Sequence, residues 1–370
     1  MLEGPIYAPH STKTDDPMLH ALLLASKQVG VSAPNPIVGC VGVENGRNIS
    51  QGVTSVYRGQ HAEAIAFTPD AEELFVTLEP CSYQGHQPSC AAMICRSPIK
   101  RIHIALIDPN PRVLGQGIQQ LHQAGKEVLL GSYGRESLLL NLPFFIQHWY
   151  QRPMIALKWA QTLDGQLADD RSTSQWITHD RTYAHILRQR YDAVLIGAGT
   201  FLCDKPQLTF RHRSDITCQP LRILWDRSGA LTDQDLSNFQ GALFSPVKRN
   251  VPCHILLQPG ASLVSIFDSL PRLEAYWGRC IQSIMIEGGP SLLTHALECM
   301  PVDIAHAMIA PIFTGGTKNR IALHRLLSEK YAMKLLKLSH HEDDTYLELS
   351  SLDLNERYES FMSKLGTYFA

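Results

Sequence analysis

Long hydrophobic runs are missing from this chain of 370 residues. No apolar segment approaches the roughly 20 residues that are needed to span a bilayer. The first segment, Met1–Asp16, also lacks the charged-then-apolar order of a signal peptide. We therefore expect no membrane association, and we expect a flexible polar arm over residues 1–15.

A surplus of positive charge is missing as well. The chain has 33 Lys and Arg residues against 35 Asp and Glu residues, and its formal net charge is −2. Because no basic block could displace counterions along a phosphate backbone, we expect no nucleic-acid partner. The composition is that of an ordinary globular protein, and the length favours two domains over a single core.

The sequence also lacks a cysteine pattern that is typical of disulfide bonds. The nine cysteines are an odd number, and they are scattered along the chain. Most lie in apolar helix or strand patterns, which predicts reduced, buried thiols and a cytoplasmic protein. These cysteines are Cys40, Cys95, Cys218, Cys253, Cys280 and Cys299.

The most informative motif combines a histidine, a glutamate and two cysteines. His61-Ala62-Glu63 is followed by Pro80-Cys81 and then by Cys90. One imidazole and two thiolates suit a tetrahedral Zn²⁺ whose fourth position is open to water. In zinc deaminases a glutamate at the place of Glu63 moves protons without binding the metal. Eight residues separate the two cysteines where the usual pattern has two, and they predict a loop that leads into a helix.

Strand patterns alternate with helix patterns along the whole chain, which predicts an α/β protein with covered sheets. Asp15-Asp16-Pro17 begins the first helix, and Glu136–Tyr150 is predicted to be one amphipathic helix. Arg152-Pro153 breaks the pattern, so we predict a domain boundary near residue 150. The predicted domains cover residues 16–149 and 150–370.

Two glycine-bearing turns follow apolar strands in the second half. They are Gly197-Ala198-Gly199-Thr200 and Glu287-Gly288-Gly289-Pro290-Ser291. Glycine lets backbone amides approach a phosphate, and a helix N-terminus favours its negative charge. Neither turn has the G-x-G-x-x-G pattern of classical dinucleotide folds.

At this point the chain resembles the bifunctional riboflavin-biosynthesis deaminase–reductase family. The resemblance extends from about residue 16 to about residue 350. It rests on motifs in a specific order: Pro34 to Cys40, His61-Ala62-Glu63, Leu78 to Ser82, Asp108 to Pro111, Lys158 with Leu163-Asp164-Gly165, Ser174 to Thr178, Thr200 to Arg211, and Glu287 to Ser291. The resemblance implies a cytidine-deaminase-like α/β/α domain followed by a dihydrofolate-reductase-like α/β domain.

The resemblance also implies two consecutive reactions. The first domain would hydrolytically deaminate a pyrimidinone that carries a phosphoribosylamino group, using one zinc ion and Glu63. The second domain would use NADPH to reduce the ribosyl group to a ribityl chain. The implied protein is a homo-oligomer, a dimer or a tetramer, that acts on this small molecule.

Site residues follow from the same resemblance. Lys158 and Asp204 are expected nearest the hydride transfer, with their individual roles left open. The expected NADPH contacts are Ala160, Trp176, Thr200, Asp204, Gly289, Pro290, Ser291, Leu292, Leu293, Thr294 and His295. The expected substrate contacts are Asn35, His86, Ser174, Arg188, Leu208, Arg211 and Glu287. Asn35 could instead form a purely structural turn, and Arg190 competes with Arg188 for the same place in the pattern.

Four positions depart from the family pattern. Tyr83 and His86 stand where the family usually has a histidine and then a lysine or arginine for the substrate phosphate. Gln166 replaces an arginine, and Lys205 replaces an aspartate. The metal ligands are unaffected by these departures.

Two alternative functions compete with this interpretation. One is a nucleoside or tRNA-type zinc deaminase with an inactive appended reductase-like domain, and the fused reductase motifs argue against it. The other is a binding protein that has lost turnover, and the intact ligand set with Glu63 argues against that.

Overall fold

The computed structural model describes residues 15–85, 87–167, 182–210, 218–315, 332–341 and 344–369. The chain divides into two compact units. The first unit runs to Gln151 and resumes at Leu354, and the second unit covers Arg152–Asp353. The expected N-terminal arm lies almost entirely outside the described residues.

The elements alternate along the chain. The helices are α1 Pro17–Ser26, α2 Ala62–Ala66, α3 Cys90–Cys95, α4 Gln116–Gln123, α5 Gly134–Leu140, α6 Leu142–Tyr150, α7 Thr182–Gln189, α8 Ala198–Asp204, α9 Ser265–Asp268, α10 Leu270–Trp277, α11 Pro290–Cys299 and α12 Leu354–Phe369. The strands are β1 Gly39–Glu44, β2 Arg47–Val53, β3 Glu73–Val76, β4 Arg101–Ile104, β5 Glu127–Leu130, β6 Met154–Thr162, β7 Ala193–Gly197, β8 Leu221–Trp225, β9 Ala242–Ser245, β10 Cys253–Leu256, β11 Ser283–Glu287, β12 Ile304–Ala310, β13 Lys334–His341 and β14 Asp344–Ser350.

The first unit is built on a five-stranded sheet in the order β2-β1-β3-β4-β5. Strand β1 is antiparallel to β2 and β3, whereas β3, β4 and β5 are parallel to one another. Short apolar strands such as Arg101–Ile104 bury alternate residues in a core that helices complete. The parallel strands end at one edge of the sheet, which is where the predicted zinc ligands follow.

Helix α1 begins where the sequence predicts. Asp16 is its N-cap, and Asp16 Oδ1 accepts hydrogen bonds from the amides of Met18 at 2.9 Å and Leu19 at 3.2 Å. Pro17 occupies the first turn, where a missing amide hydrogen costs nothing. The buried face of the helix covers β1.

The second unit is built on a nine-stranded sheet in the order β10-β9-β8-β7-β11-β6-β12-β14-β13. The strands from β10 to β12 are parallel, and β14 and β13 close one side in antiparallel pairings. The predicted α/β class is confirmed in both units. The central strands are apolar because both of their faces are covered.

Three differences from the predicted elements concern the first unit. The segment predicted as one helix over Glu136–Tyr150 is two helices, α5 and α6, which are separated at Asn141. The Asn141 side chain bonds both the amide and the carbonyl of Ile37 at 2.7 and 3.0 Å, and Pro143 cannot continue the earlier helix. Strand β2 was not predicted, because its exposed polar residues carry no alternating apolar signal.

Helix α12 is the third difference. The predicted domain of residues 150–370 includes this segment, whereas the structure groups it with the first unit. Phe361 on α12 packs edge-on against Phe145 and Trp149, which explains the assignment.

All nine cysteines are free thiols in the structure. Among the described residues, none of the helices combines the length and the apolar character that crossing a lipid bilayer would need.

Candidate metal centre and reductase site

The three predicted zinc ligands meet at one point. His61 is the N-cap residue of α2, Cys81 lies in the loop after β3, and Cys90 is the first residue of α3. Their ligand atoms all lie within 4.8 Å of one another. Nδ1 of His61 is 3.5 Å from Cys81 Sγ and 3.4 Å from Cys90 Sγ.

These separations fit a single tetrahedral zinc ion. Zinc bonds of about 2.3 Å to sulfur and about 2.0 Å to nitrogen, at a tetrahedral angle, place the two ligand atoms about 3.5 Å apart. The pKa of Cys81 is lowered to about 4 by hydrogen bonds from the Cys90 thiol, from His61 and from the Cys90 amide, although burial acts in the opposite direction. Cys81 is therefore prepared to bind as a thiolate. The predicted loop between the cysteines brings both thiols to one centre despite its length.

Glu63 lies in the first turn of α2, two residues beyond His61, with only 4% of its surface exposed. Burial, followed by the nearby charge of Cys81, raises the pKa of Glu63 to about 7. A carboxyl group with that pKa can both accept and release a proton near neutral pH. Glu63 also interacts with the Cys90 thiol, so the proton carrier sits beside the ligands.

Glu79 is a buried carboxyl group that the sequence reasoning quoted in a motif but did not assign. Its Oε1 accepts hydrogen bonds from the amides of Gly117 at 2.9 Å and Ile118 at 3.3 Å. Its Oε2 accepts hydrogen bonds from the amides of Gly115 at 3.0 Å and Asp108 at 3.3 Å. Burial outweighs these four bonds and raises the pKa of Glu79 to about 7.

The contacts of Glu79 hold the start of α4 against the Cys81 loop. A Cβ atom at Gly117 would lie 2.1 Å from the carbonyl oxygen of Pro80, so only glycine allows this approach. One sequence signal could have identified Glu79. It is an acidic residue two places before the ligand Cys81, together with the glycines Gly115 and Gly117 much later in the chain. Asp108 is a second buried carboxyl group here, and burial raises its pKa to about 8.

The predicted substrate residues of the first unit are only partly described. Asn35 is half-buried in a turn before β1, and its backbone amide donates to the carbonyl of Ser32 at 2.9 Å. This contact fits the alternative in which Asn35 forms a purely structural turn, and a substrate contact by Asn35 stays a prediction. His86 lies outside the described residues.

The two predicted glycine turns of the second unit lie side by side. Strands β7 and β11 are parallel neighbours, so the turns that follow them meet at one edge of the sheet. A Cβ atom at Gly288 would lie 3.3 Å from Thr200 Oγ1 and 3.3 Å from Leu292 Cδ2. Gly197 also faces Leu292, at 3.7 Å. Residues far apart in the chain thus share one site.

This double turn has the features of a phosphate cradle. A Cβ atom at Gly199 or Gly289 would meet no atom of the described residues within 4 Å. The ten-residue helix α11 begins beside them, and no described side chain caps its first amides. A dinucleotide phosphate fits such an uncapped helix start.

The other predicted cofactor residues on α11 differ in which of their atoms could contact NADPH. The side chains of Leu292 and Leu293 belong to the hydrophobic core, so only their backbone atoms could reach NADPH. His295 is half-buried, and burial lowers its pKa. Pro290, Ser291 and Thr294 complete the stretch, and its contact with NADPH stays a prediction.

Lys158, Glu287 and Arg188 form one buried ionic cluster. Glu287 Oε1 accepts from Arg188 Nε at 2.9 Å, and Glu287 Oε2 accepts from Arg188 Nη2 at 3.1 Å. Lys158 Nζ lies 3.7 Å from the same Oε2 atom. Burial raises the pKa of Glu287, but the charges of Lys158 and Arg188 outweigh it, so the net pKa is below its usual value.

The other residues predicted for the reductase site differ in their exposure and in whether the structure describes them. Asp204 is the exposed last residue of α8, whereas Ala160 shares a face of β6 with Lys158. Leu208 is buried and has a φ of 53°, an uncommon backbone angle for leucine. Ser174, Trp176 and Arg211 lie outside the described residues.

Two family models match the sequence. The model for the RibD C-terminal domain matches residues 153–347, which include the ionic cluster and both glycine turns. The model for the cytidine and deoxycytidylate deaminase zinc-binding region matches residues 12–106, which include all three ligands and Glu63.

Whole proteins match over both units. The chain is 37% identical to the riboflavin biosynthesis protein RibD of Aquifex aeolicus, over 80% of this chain and 86% of that one. It is 35% identical to RibD of Actinobacillus pleuropneumoniae, over 82% and 86% of the two chains. A crystal structure from Thermotoga maritima, described as a diaminohydroxyphosphoribosylaminopyrimidine deaminase/5-amino-6-(5-phosphoribosylamino)uracil reductase, superposes with a TM-score of 0.79 at 31% identity. That superposition covers 91% of this chain and 98% of the other.

Proposed function

Since the chain belongs to the RibD family of riboflavin-biosynthesis deaminase–reductases, we propose which of its residues carry out each of two successive reactions. The first unit removes an amino group from a diaminohydroxyphosphoribosylaminopyrimidine. The second unit reduces the ribosyl group of the product with NADPH. The observation that carries the proposal is the convergence of three ligand atoms within 4.8 Å beside the buried Glu63.

In the deamination step, His61, Cys81 and Cys90 hold the zinc ion. Zinc supplies the Lewis acidity that makes water nucleophilic near neutral pH. Glu63 takes a proton from the attacking water and passes it to a ring nitrogen as the new C–O bond forms. It then takes the proton of the added hydroxyl group and passes it to the amino group, whose C–N bond breaks to release ammonia and leave a carbonyl. The pKa of Glu63, which burial raises to about 7, supports both directions of transfer.

In the reduction step, Lys158 is the cation nearest the reacting ribosyl group. NADPH supplies the hydride, and the double glycine turn with the start of α11 holds its phosphates. Glu287 keeps the ammonium of Lys158 in place through the 3.7 Å contact. Asp204 is the proposed second ionisable group, at the end of the helix that follows the first glycine turn.

Substrate recognition is proposed to use both units in turn. Asn35 and His86 bind the pyrimidine and its phosphate in the first unit. Arg188 reaches the ribose phosphate in the second unit while Glu287 orients its guanidinium group. Ser174, Leu208 and Arg211 complete the proposed substrate contacts, and Ala160, Trp176, Thr200 and the Gly289–His295 stretch complete the NADPH contacts.

We also propose a cytoplasmic homo-oligomer. The free state of all nine cysteines supports a reducing compartment. The family resemblance supports the oligomer, and light scattering on the purified protein would measure its mass.

The test follows two products from one substrate. The protein is given the diaminohydroxyphosphoribosylaminopyrimidine and NADPH, and both ammonia release and NADPH oxidation are recorded. We expect Glu63→Gln to lower ammonia release by about 10²- to 10⁴-fold, because a general acid–base contributes that much. The same variant should still oxidise NADPH when it receives the deaminated pyrimidine. Ammonia release from cytidine without NADPH oxidation would contradict the proposal.

A further inference from the structure

A row of ionisable side chains crosses five neighbouring strands of the second unit. Glu287 on β11 pairs in register with Lys158 on β6, and Lys158 pairs with His306 on β12. His306 pairs with Glu348 on β14, and Glu348 pairs with Lys337 on β13. Register partners on neighbouring strands point to the same face of a sheet, so these five side chains form one line.

The short segment from Arg188 to Tyr191, at the end of α7 and just beyond it, contacts three of the five members of this row. Arg188 bonds Glu287 through two nitrogens, as described above. Arg190 bonds Glu348 through two nitrogens, Nη1 at 3.3 Å and Nη2 at 3.1 Å. Tyr191 lies between them in space, with its hydroxyl 2.5 Å from His306 Nε2.

His306 separates the two carboxylate–arginine pairs as an uncharged group. It is 1% exposed, and burial lowers its pKa to about 4. A neutral imidazole offers Lys158 no negative charge on the β12 side. Among the described residues, Glu287 is the carboxylate that contacts Lys158, at 3.7 Å, and Glu348 on the strand beyond His306 is ion-paired with Arg190.

We propose that Arg190, Tyr191, His306 and Glu348 are positioning residues for Lys158. They keep an unpaired carboxylate away from the β12 side of Lys158, so that its ammonium group stays on Glu287 and faces the reacting ribosyl group. This inference rests on the proposed role of Lys158 in reduction. Among the described residues, the charged and titratable groups in or beside the row are Glu287, His185, Arg188, Arg190, His306, Glu348 and Lys337.

The sharpest test removes the neutralising charge with Arg190→Gln. Glu348, two strands or about 10 Å from Lys158, then loses its arginine partner. At an effective dielectric constant of about 20, one charge at this distance shifts a protonation equilibrium by about 1 pH unit. We expect the alkaline limb of the pH profile of NADPH oxidation to move up by that amount. The kcat for reduction should fall about tenfold, with the KM for NADPH within about twofold, since the displaced group is Lys158.

Arg249→Gln is a control in the same unit. Arg249 lies in the loop after β9, with its Nη1 3.9 Å from Asp233 Oδ2. Strand β9 is four strands from β6 in the sheet, or about 19 Å, where a change of charge is largely screened. This variant should leave the pH profile unchanged. Equal behaviour of Arg190→Gln and Arg249→Gln would overturn the proposal.

A variant with the opposite sign covers a failure of Arg190→Gln to fold. Glu348→Gln removes a negative charge and keeps the positive charge of Arg190, so the alkaline limb should move to lower pH. The double variant Arg190→Gln with Glu348→Gln removes one charge of each sign and should return the limb to its original position. A limb that stays in place in Glu348→Gln also overturns the proposal.

A second readout needs no activity. Melting temperatures are measured for Lys158→Met, Arg190→Gln and the double variant, and the two losses should be non-additive by about 2–4 °C. The combination of Lys158→Met with Arg249→Gln should be additive. A wild-type protein that oxidises no NADPH would contradict the proposed function, whereas additive losses for Lys158 and Arg190 would contradict the row.

Discussion

The zinc centre and the ionic row differ in how far along the chain their residues lie. The zinc ligands all come from positions 61 to 90, whereas the row takes its residues from positions 158 to 348. The zinc ligands sit at helix starts and in one loop. The row depends on the register of five strands. A compact motif therefore carries its own geometry, and a dispersed site acquires its geometry from the sheet.

The electrostatics of the two sites also differ. The first unit buries Glu63, Glu79 and Asp108 with raised pKa values, and its positive charge is to come from the metal. The second unit pairs three of its buried carboxylates, Glu287, Asp303 and Glu348, with arginines of the chain itself. Loss of the metal should consequently affect one activity and leave the other intact.

The largest effect is expected for Cys90→Ser. Losing a ligand removes zinc and with it several kcal/mol of transition-state stabilisation, which corresponds to roughly a thousandfold loss of ammonia release. NADPH oxidation with the deaminated pyrimidine should persist. Elemental analysis measures the zinc content. Cys95→Ser, which changes another thiol on the same helix, should retain both zinc and activity.

Lys158→Met tests the opposite half. We expect NADPH oxidation to fall by about 10²- to 10⁴-fold, because a charged proton donor at the reacting group is lost. Ammonia release should be unchanged, as should both activities of Lys334→Met, which alters an exposed lysine on β13. A parallel loss of ammonia release in the folded Lys158→Met protein would mean that the two sites are not independent.

A pH-dependent stability difference is expected for His306→Gln. In the folded protein burial lowers the pKa of His306 to about 4, whereas an unfolded histidine titrates near pH 6.5. Between these values the unfolded chain binds more protons, so the free energy of unfolding decreases as the pH falls from about 6.5 to about 4.

The His306→Gln variant should lack this part of the decrease in unfolding free energy at acidic pH, which amounts to at most about 3 kcal/mol at pH 4. Calorimetry of both proteins across this pH range measures the difference, and the first unit is identical in the two. Tyr191→Phe keeps the imidazole, so its unfolding free energy should decrease at acidic pH as that of the wild type does. Parallel curves for wild type and His306→Gln would show that this histidine is not held neutral.

The smallest effect is expected for Asp16→Ala in the first unit. Asp16 caps α1 and its Oδ2 accepts a hydrogen bond from the Tyr133 hydroxyl at 2.9 Å. Removing an N-cap costs about 1 kcal/mol of unfolding free energy. Denaturant unfolding measures this loss, and the exposed neighbour Asp15→Ala should be within experimental error of wild type.

Local sequence signals predicted elements well where one signal dominated. The helix start at Asp16 and the helix after the loop between Cys81 and Cys90 both lie within a few residues of their predicted places. The predictions failed where a distant contact decided the outcome. Asn141 ends α5 by bonding Ile37, which is more than a hundred positions away.

The sequence by itself determined the zinc ligand set, the proton carrier and the family, because these depend on residue types at short, specific spacings. It also indicated the two glycine turns, since glycine after an apolar strand has few other uses. Only the tertiary structure decided that Lys158 lies between Glu287 and His306, and that Arg190 belongs to Glu348 and not to Glu287. The physical reason is that strand register is set by packing across a whole sheet, and no local pattern records which distant residues become neighbours.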